Sequence, residues 1–330
     1  MTDFIAFDLV GPLSPQDNTV EFIRHIPDGV RLVELINRYG SLLEQENRDG
    51  YETGDTRVFI MPFLLLHDIT VKDIVDAAVT SNLIEGAQKL ISSLQSSRWK
   101  VFCISTIYEQ YAQHIAHRLD IFSHSVACTP FPVEKLRQSL SIDVGELLRR
   151  LENEILAMRP GAGDQRLKNT LDTFFLQQLP ETSFGKIISA IKPVTGRRKL
   201  EELQKFSVKY SQPLSDWVVI ADSLTDCPML KAVDEAGGLA VAYNADRHAL
   251  SNATLALAST MVSDLMHILP AWQKGRRKGI EQALKDREKA GVQPDNSYFY
   301  WLAGRKEIED VIELHQKFRV SALAESGKTG

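Results

Sequence analysis

At 330 residues the chain is too long for one minimal domain, so a core with sizeable insertions or two domains is the natural expectation. Apolar residues make up 44% and charged residues 25%, an ordinary balance for a soluble globular protein, and the net charge of -5 argues against nucleic acid or an anionic membrane surface as the main partner. The three cysteines, Cys103, Cys128 and Cys227, show no CxxC spacing, which excludes a disulfide framework and a cysteine-based zinc site and fits a reducing compartment.

Phe4-Ile5-Ala6-Phe7 is a short apolar run that ends abruptly in Asp8 and is followed by Gly11-Pro12. It reads as a buried strand that delivers a carboxylate at its C-terminal tip before a turn. The first ten residues carry no basic n-region and no cleavage-site pattern, so no signal peptide is expected. The longest apolar run, residues 59–66, is interrupted by Pro62 and is too short to span a bilayer. A soluble, cytoplasmic protein is the resulting expectation.

Residues 17–82 read as mainly helical, with apolar side chains at helical spacing in Val20-Glu21-Phe22-Ile23 and across residues 30–36. Residues 47–55 are a polar loop within them. An amphipathic helix is predicted over 83–94, a second buried strand over 99–104, a helix over 108–119 and a third strand over 123–128. Residues 131–190 are again mostly helical, with breakers at Pro160-Gly161-Ala162-Gly163-Asp164 and at Pro180. A helix over 199–210 leads into the strand 217–221, and 239–243 is a fifth strand. Residues 262–330 read as a helical extension with a frayed tail.

Short strands alternating with helices imply a doubly wound, Rossmann-like parallel sheet with right-handed crossovers. The α/β core is assigned to residues 1–16, 83–130 and 191–261, a helical cap insertion to 17–82, a second helical insertion to 131–190 and a helical C-terminal extension to 262–330. In such folds ligands bind beyond the carboxyl ends of the strands. Three strands end there in polar residues: Asp8, Ser105-Thr106 and Asp222.

Asp8-Leu9-Val10-Gly11 resembles the first motif of the haloacid dehalogenase (HAD) superfamily, in which the first Asp is the nucleophile. Val101-Phe102-Cys103-Ile104-Ser105 resembles the second, a strand ending in Ser or Thr. Lys199, at the head of its helix, resembles the lysine of the third. Val219-Ile220-Ala221-Asp222-Ser223-Leu224-Thr225-Asp226 resembles the fourth, an apolar strand ending in two acids. The motifs occur in order, and the resemblance runs from residue 4 to about 258. Ile84-Glu85-Gly86-Ala87-Gln88-Lys89-Leu90 and the place of the 17–82 insertion are similar to the phosphoserine-phosphatase-like branch.

The resemblance implies a Mg²⁺-dependent hydrolase acting on a small phosphorylated substrate. Asp8 would be the nucleophile, while Ser105, Thr106 and Lys199 would hold phosphoryl oxygens. Asp8, the Val10 carbonyl and Asp222 would hold Mg²⁺, with Asp226 ligating it or orienting its waters. The chemistry is sound apart from the name. A carboxylate that attacks phosphorus divides one hard step into two easier ones, and its repulsion by the phosphate must be neutralised by a cation.

Taken singly, each residue has a plainer role. Asp8 could form a turn, Ser105-Thr106 or Asp222-Ser223 could cap a helix, and Lys199 could be a solvated helix residue with Arg197 or Arg198 serving in its place. The joint pattern favours a site.

Two departures stand out. Phosphatases of this superfamily carry a second Asp two residues after the nucleophile, where this chain has Val10, and a Thr commonly stands where it has Pro12. Valine cannot transfer a proton. Three readings follow: the proton comes from elsewhere (Asp17 or an acid of the cap) or the leaving group needs none; the substrate is a phosphonate or haloacid; or the protein is a binding or regulatory relative with little turnover. Dehalogenases do not need Mg²⁺, so the Asp222/Asp226 pair leans against them. His25 and His67 are cap residues that could touch substrate, though packing is the commoner role. The aromatic cluster Tyr298-Phe299-Tyr300-Trp301 either packs on the core or forms a homodimer surface.

Overall fold

The computed structural model describes residues 2–15, 23–158, 163–290, 296–305 and 307–326. Asp17, the helical reading of Val20-Glu21-Phe22, the breaker Pro160-Gly161-Ala162 and the end of the predicted tail lie outside these residues. In chain order the elements are β1 (Asp3–Phe7), α1 (Gly29–Gln45), α2 (Thr56–Leu66), α3 (Val71–Thr80), α4 (Ala87–Ser96), β2 (Trp99–Tyr108), α5 (Glu109–Arg118), β3 (Val126–Thr129), α6 (Val133–Ser139), α7 (Ile142–Leu156), α8 (Asp164–Asp172) and α9 (Ser183–Ala190). There follow α10 (Arg197–Tyr210), β4 (Trp217–Ala221), α11 (Cys227–Glu235), β5 (Leu239–Tyr243), α12 (Arg247–Leu250), β6 (Leu255–Ser259), α13 (Leu269–Ala290), β7 (Ser297–Trp301) and α14 (Glu309–Ser326).

The strands form a seven-stranded sheet in the order β3-β2-β1-β4-β5-β6-β7, parallel except for β7. Every residue of β1, β4, β5 and β6 is buried, as expected of strands covered by helices on both faces. One face packs Ile5, Phe7, Val218 and Ile220 into one core, and the other packs Phe4, Ala6, Trp217 and Val219 into a second. The first six strands follow the doubly wound order in which the winding reverses between β1 and β4. Phe7 pairs with Cys103 of β2 on one side and Ile220 of β4 on the other, so the carboxyl ends of all three strands open into the crevice at that reversal.

The α/β fold expected from the sequence is the fold observed, with two strands more. β6 escapes a sequence reading because Leu255-Ala256-Leu257-Ala258 has no β-branched residue; pairing with β5 and β7 imposes the strand. The aromatic cluster, expected within a helical extension, is β7: Leu255 pairs with Trp301 and Leu257 with Phe299. β2 also runs past Ile104 to Tyr108, with a register break between Ser105 and Tyr108.

Helices from residues 17–82 pack on helices from residues 131–190. Tyr39 Oη donates to Asp172 Oδ1 at 2.7 Å, and the Phe59 and Phe175 rings lie 4.6 Å apart. His67 Nε2 lies 2.7 Å from Glu152 Oε1, which gives that histidine a packing role between α2 and α7. His25 is exposed. Among the described residues no helix is long and apolar enough to cross a membrane.

Candidate active site

Asp8 directly follows β1, and its backbone N–H donates to Ile220 O of β4 at 2.8 Å, which locks the strand tip in place. Its side chain is buried. The turn after it passes over Asp222 so closely that a Cβ on Gly11, whose φ is +97°, would sit 2.4 Å from Asp222 Cγ. Only glycine fits that backbone and that gap. Asp222 itself follows β4, and Asp226 lies one short turn further on, at the end of the 3₁₀ segment Leu224–Asp226.

Lys199 is the third residue of α10, wholly buried, with Nζ 2.7 Å from Asp8 Oδ2 and 2.6 Å from Asp226 Oδ1. The neighbouring cations are engaged elsewhere. Arg197 Nε donates to Glu52 Oε1 at 2.6 Å, and Arg198 forms a fork on Asp55 at 2.6 and 2.8 Å. Both thereby tie the loop preceding α2 to the head of α10. Of the three cations that the sequence offered, Lys199 is the one in the site.

Asp226 has both oxygens engaged, since Oδ2 accepts from the Ser223 N–H at 3.1 Å and from Ser223 Oγ at 2.8 Å. Three polar atoms at this site are buried with no hydrogen-bond partner: Asp8 Oδ1, Ser105 Oγ and Thr106 Oγ1. An unmet buried polar atom is costly in a folded protein, and several on one cavity mark the place of a ligand.

The electrostatics agree. Burial and the Asp226 charge push the Asp8 carboxyl up to about 7, although Lys199 pulls against them. Burial above all holds Asp222 well above the usual carboxylate range. Burial opposes the charge on Lys199, but Asp226 and Asp8 outweigh it and keep the ammonium above its ordinary value. Ligand oxygens of Asp8, Asp222 and Asp226 all lie within 4.8 Å of one another. Crowded, hard oxygen donors with one oxygen unmet suit a small divalent cation such as Mg²⁺.

Asp8 and Asp222, with Ser105 and Thr106, line a cavity of about 440 Å³. Val10, Gly11, Ile23, Val33, Ile60 and Ile107 also line it. Neither His25 nor His67 borders it. Two arginines that carried no sequence signal do: Arg57, half-buried and close enough to Asp8 for the two charges to interact, and Arg319 of α14. Arg319 Nη2 lies 3.1 Å from Asp222 Oδ2, and Nη1 donates to Asp222 O at 3.0 Å.

No family model and no curated protein matches the sequence. Among solved structures, the chain is similar to gene product AF1437 from Archaeoglobus fulgidus, with a TM-score of 0.81 at 21% identity over 98% of this chain and 97% of that one. A looser likeness, at a TM-score of 0.49 and 16% identity, is to a substrate-bound phosphoserine phosphatase, over 82% of this chain and 98% of that one. Another, at 0.43 and 12%, is to a HAD family hydrolase from Salmonella enterica serovar Typhi, over 74% of this chain and 63% of that one. These are likenesses of fold. The chain shares the fold of that archaeal gene product, and its doubly wound strand order gathers Asp8, Ser105, Lys199 and Asp222 at the crevice.

Proposed function

We propose that the chain is a Mg²⁺-dependent phosphohydrolase that transfers the phosphoryl group of a small phosphorylated metabolite to Asp8. The observation that carries this reading is the convergence of Asp8 Oδ1, Ser105 Oγ and Thr106 Oγ1, all buried and without partners, on one cavity beside a buried lysine. A bound phosphoryl group and a cation would satisfy all three.

In this reading a carboxylate oxygen of Asp8 attacks phosphorus as the bond to the leaving oxygen breaks, giving an aspartyl-phosphate. Lys199 holds Asp8 in its charged form and balances charge on the phosphoryl oxygens, while the Ser105 and Thr106 hydroxyls donate hydrogen bonds to them. Held by Asp8, Asp222 and the Val10 carbonyl, with Asp226 orienting its waters, Mg²⁺ would neutralise phosphoryl charge. Water then attacks the aspartyl-phosphate, which releases phosphate and regenerates Asp8.

Val10 supplies no proton to the leaving group, and general acid-base help is worth roughly 10²–10⁴-fold. That residue supports a second reading, in which the fold binds a phosphorylated ligand or regulates a partner with little turnover. The test is hydrolysis of an aryl phosphate with Mg²⁺ by wild type and Asp8→Asn. The first reading expects loss of turnover in the variant, and equal activity in both proteins would sink it. We also carry forward a homodimer as a proposal, since β7 ends the sheet order and an outer strand edge pairs readily.

A further inference from the structure

Among the described residues, the guanidinium of Arg319 is the one cation lining the cavity that comes from beyond residue 258, where the motif resemblance ends, and α14 delivers it firmly. His315 lies one helical turn earlier on the same face of α14, wholly buried, and its Nδ1 accepts a hydrogen bond from the Ala245 N–H at 2.9 Å, just beyond the tip of β5. Val311 and Ile312 are buried, and the Phe318 ring packs edge-on against Tyr298 of β7 at 5.9 Å. With the helix so fixed, Arg319 grips both the backbone oxygen of Asp222 and its Oδ2. A planar fork on one residue is an arrangement arginine makes better than lysine.

Among the described residues, the site sets three acidic side chains against three cations. Asp8, Asp222 and Asp226 face Lys199, Arg57 and Arg319. A divalent cation would have to share Asp222 with a guanidinium.

On the reading that Asp8 and Asp222 hold a divalent cation, we propose that Arg319 is a built-in counter-cation that occupies Asp222 and sets the metal affinity of the site low. The C-terminal helix thereby controls how much metal the site retains. The side chain of Arg319 is 37% exposed, so water screens its charge in part. A unit charge a few ångströms from a divalent ion still changes its affinity by about tenfold or more.

The test is Mn²⁺ binding to the full-length protein, followed by electron paramagnetic resonance of the free ion and by the Mn²⁺-induced shift in thermal unfolding. It compares wild type, Arg319→Ala, Arg319→Gln and Arg319→Lys, each with and without Asp222→Asn. The expected result is Mn²⁺ binding tighter by about tenfold in Arg319→Ala and Arg319→Gln, near wild type in Arg319→Lys, with the gain abolished by Asp222→Asn. Unchanged or weaker binding in the neutral variants, or a gain that survives Asp222→Asn, would overturn the role of Arg319 and leave the metal site standing. Absence of Mn²⁺ binding in every protein would overturn the metal site and the counter-cation together.

Discussion

Lys199 Nζ stands 2.7 Å from Asp8 Oδ2, joining two buried residues 191 positions apart in the chain. The same ammonium holds Asp226, so a single cation separates two buried carboxylates. Removing it while leaving both acids in place is more damaging than losing an ordinary ion pair, because a buried charge then has no counter-ion.

Lys199→Met is therefore expected to destabilise the protein by about 3–5 kcal/mol near neutral pH. Without the lysine the Asp8 carboxyl rises further above its unfolded value, so the native state favours the protonated form. The variant keeps most of its stability at acidic pH and loses it as pH rises through the folded-state value. Urea unfolding of both proteins at pH 5 and pH 8 measures this; a stability difference that is the same at both would contradict it.

Val10 lines the cavity, two residues from Asp8. If the machinery is otherwise complete, Val10→Asp raises aryl phosphatase activity by about 10²–10⁴-fold. Rates with and without Mg²⁺ check this, and no gain at any pH would mean that more than the acid-base is missing.

His315 is pushed down to about 3 by burial, against an ordinary value of 6.5. Its native form is neutral and the unfolded form gains a proton first, so its contribution is complete above the unfolded value and is lost as pH falls below it. Stability should fall by up to about 1.4 kcal/mol per pH unit more steeply in wild type than in His315→Gln between pH 6 and pH 4. Parallel slopes in denaturant titrations of the two proteins would contradict the neutral, buried histidine.

Asp8 and Asp222 are legible in the sequence because each closes an apolar run, and β1 and β4 bring their tips together as parallel neighbours. Lys199 is harder to read, since three cations stand side by side. What separates them is remote: Glu52 and Asp55, far away in the chain, take Arg197 and Arg198. β6 is hidden by its alternation of leucine and alanine, and β7 by its distance from the rest of the sheet in sequence. Arg57 and Arg319 lie in no motif; helix packing alone brings them to the cavity.

The most direct measurement is to quench the protein during turnover of a phosphorylated substrate with Mg²⁺, reduce the acyl phosphate with borohydride and map the modified residue by mass spectrometry. Phosphoryl transfer to a carboxylate predicts a modification on Asp8 that disappears in Asp8→Asn along with turnover. A modification on another residue, or turnover that persists in Asp8→Asn, would contradict it.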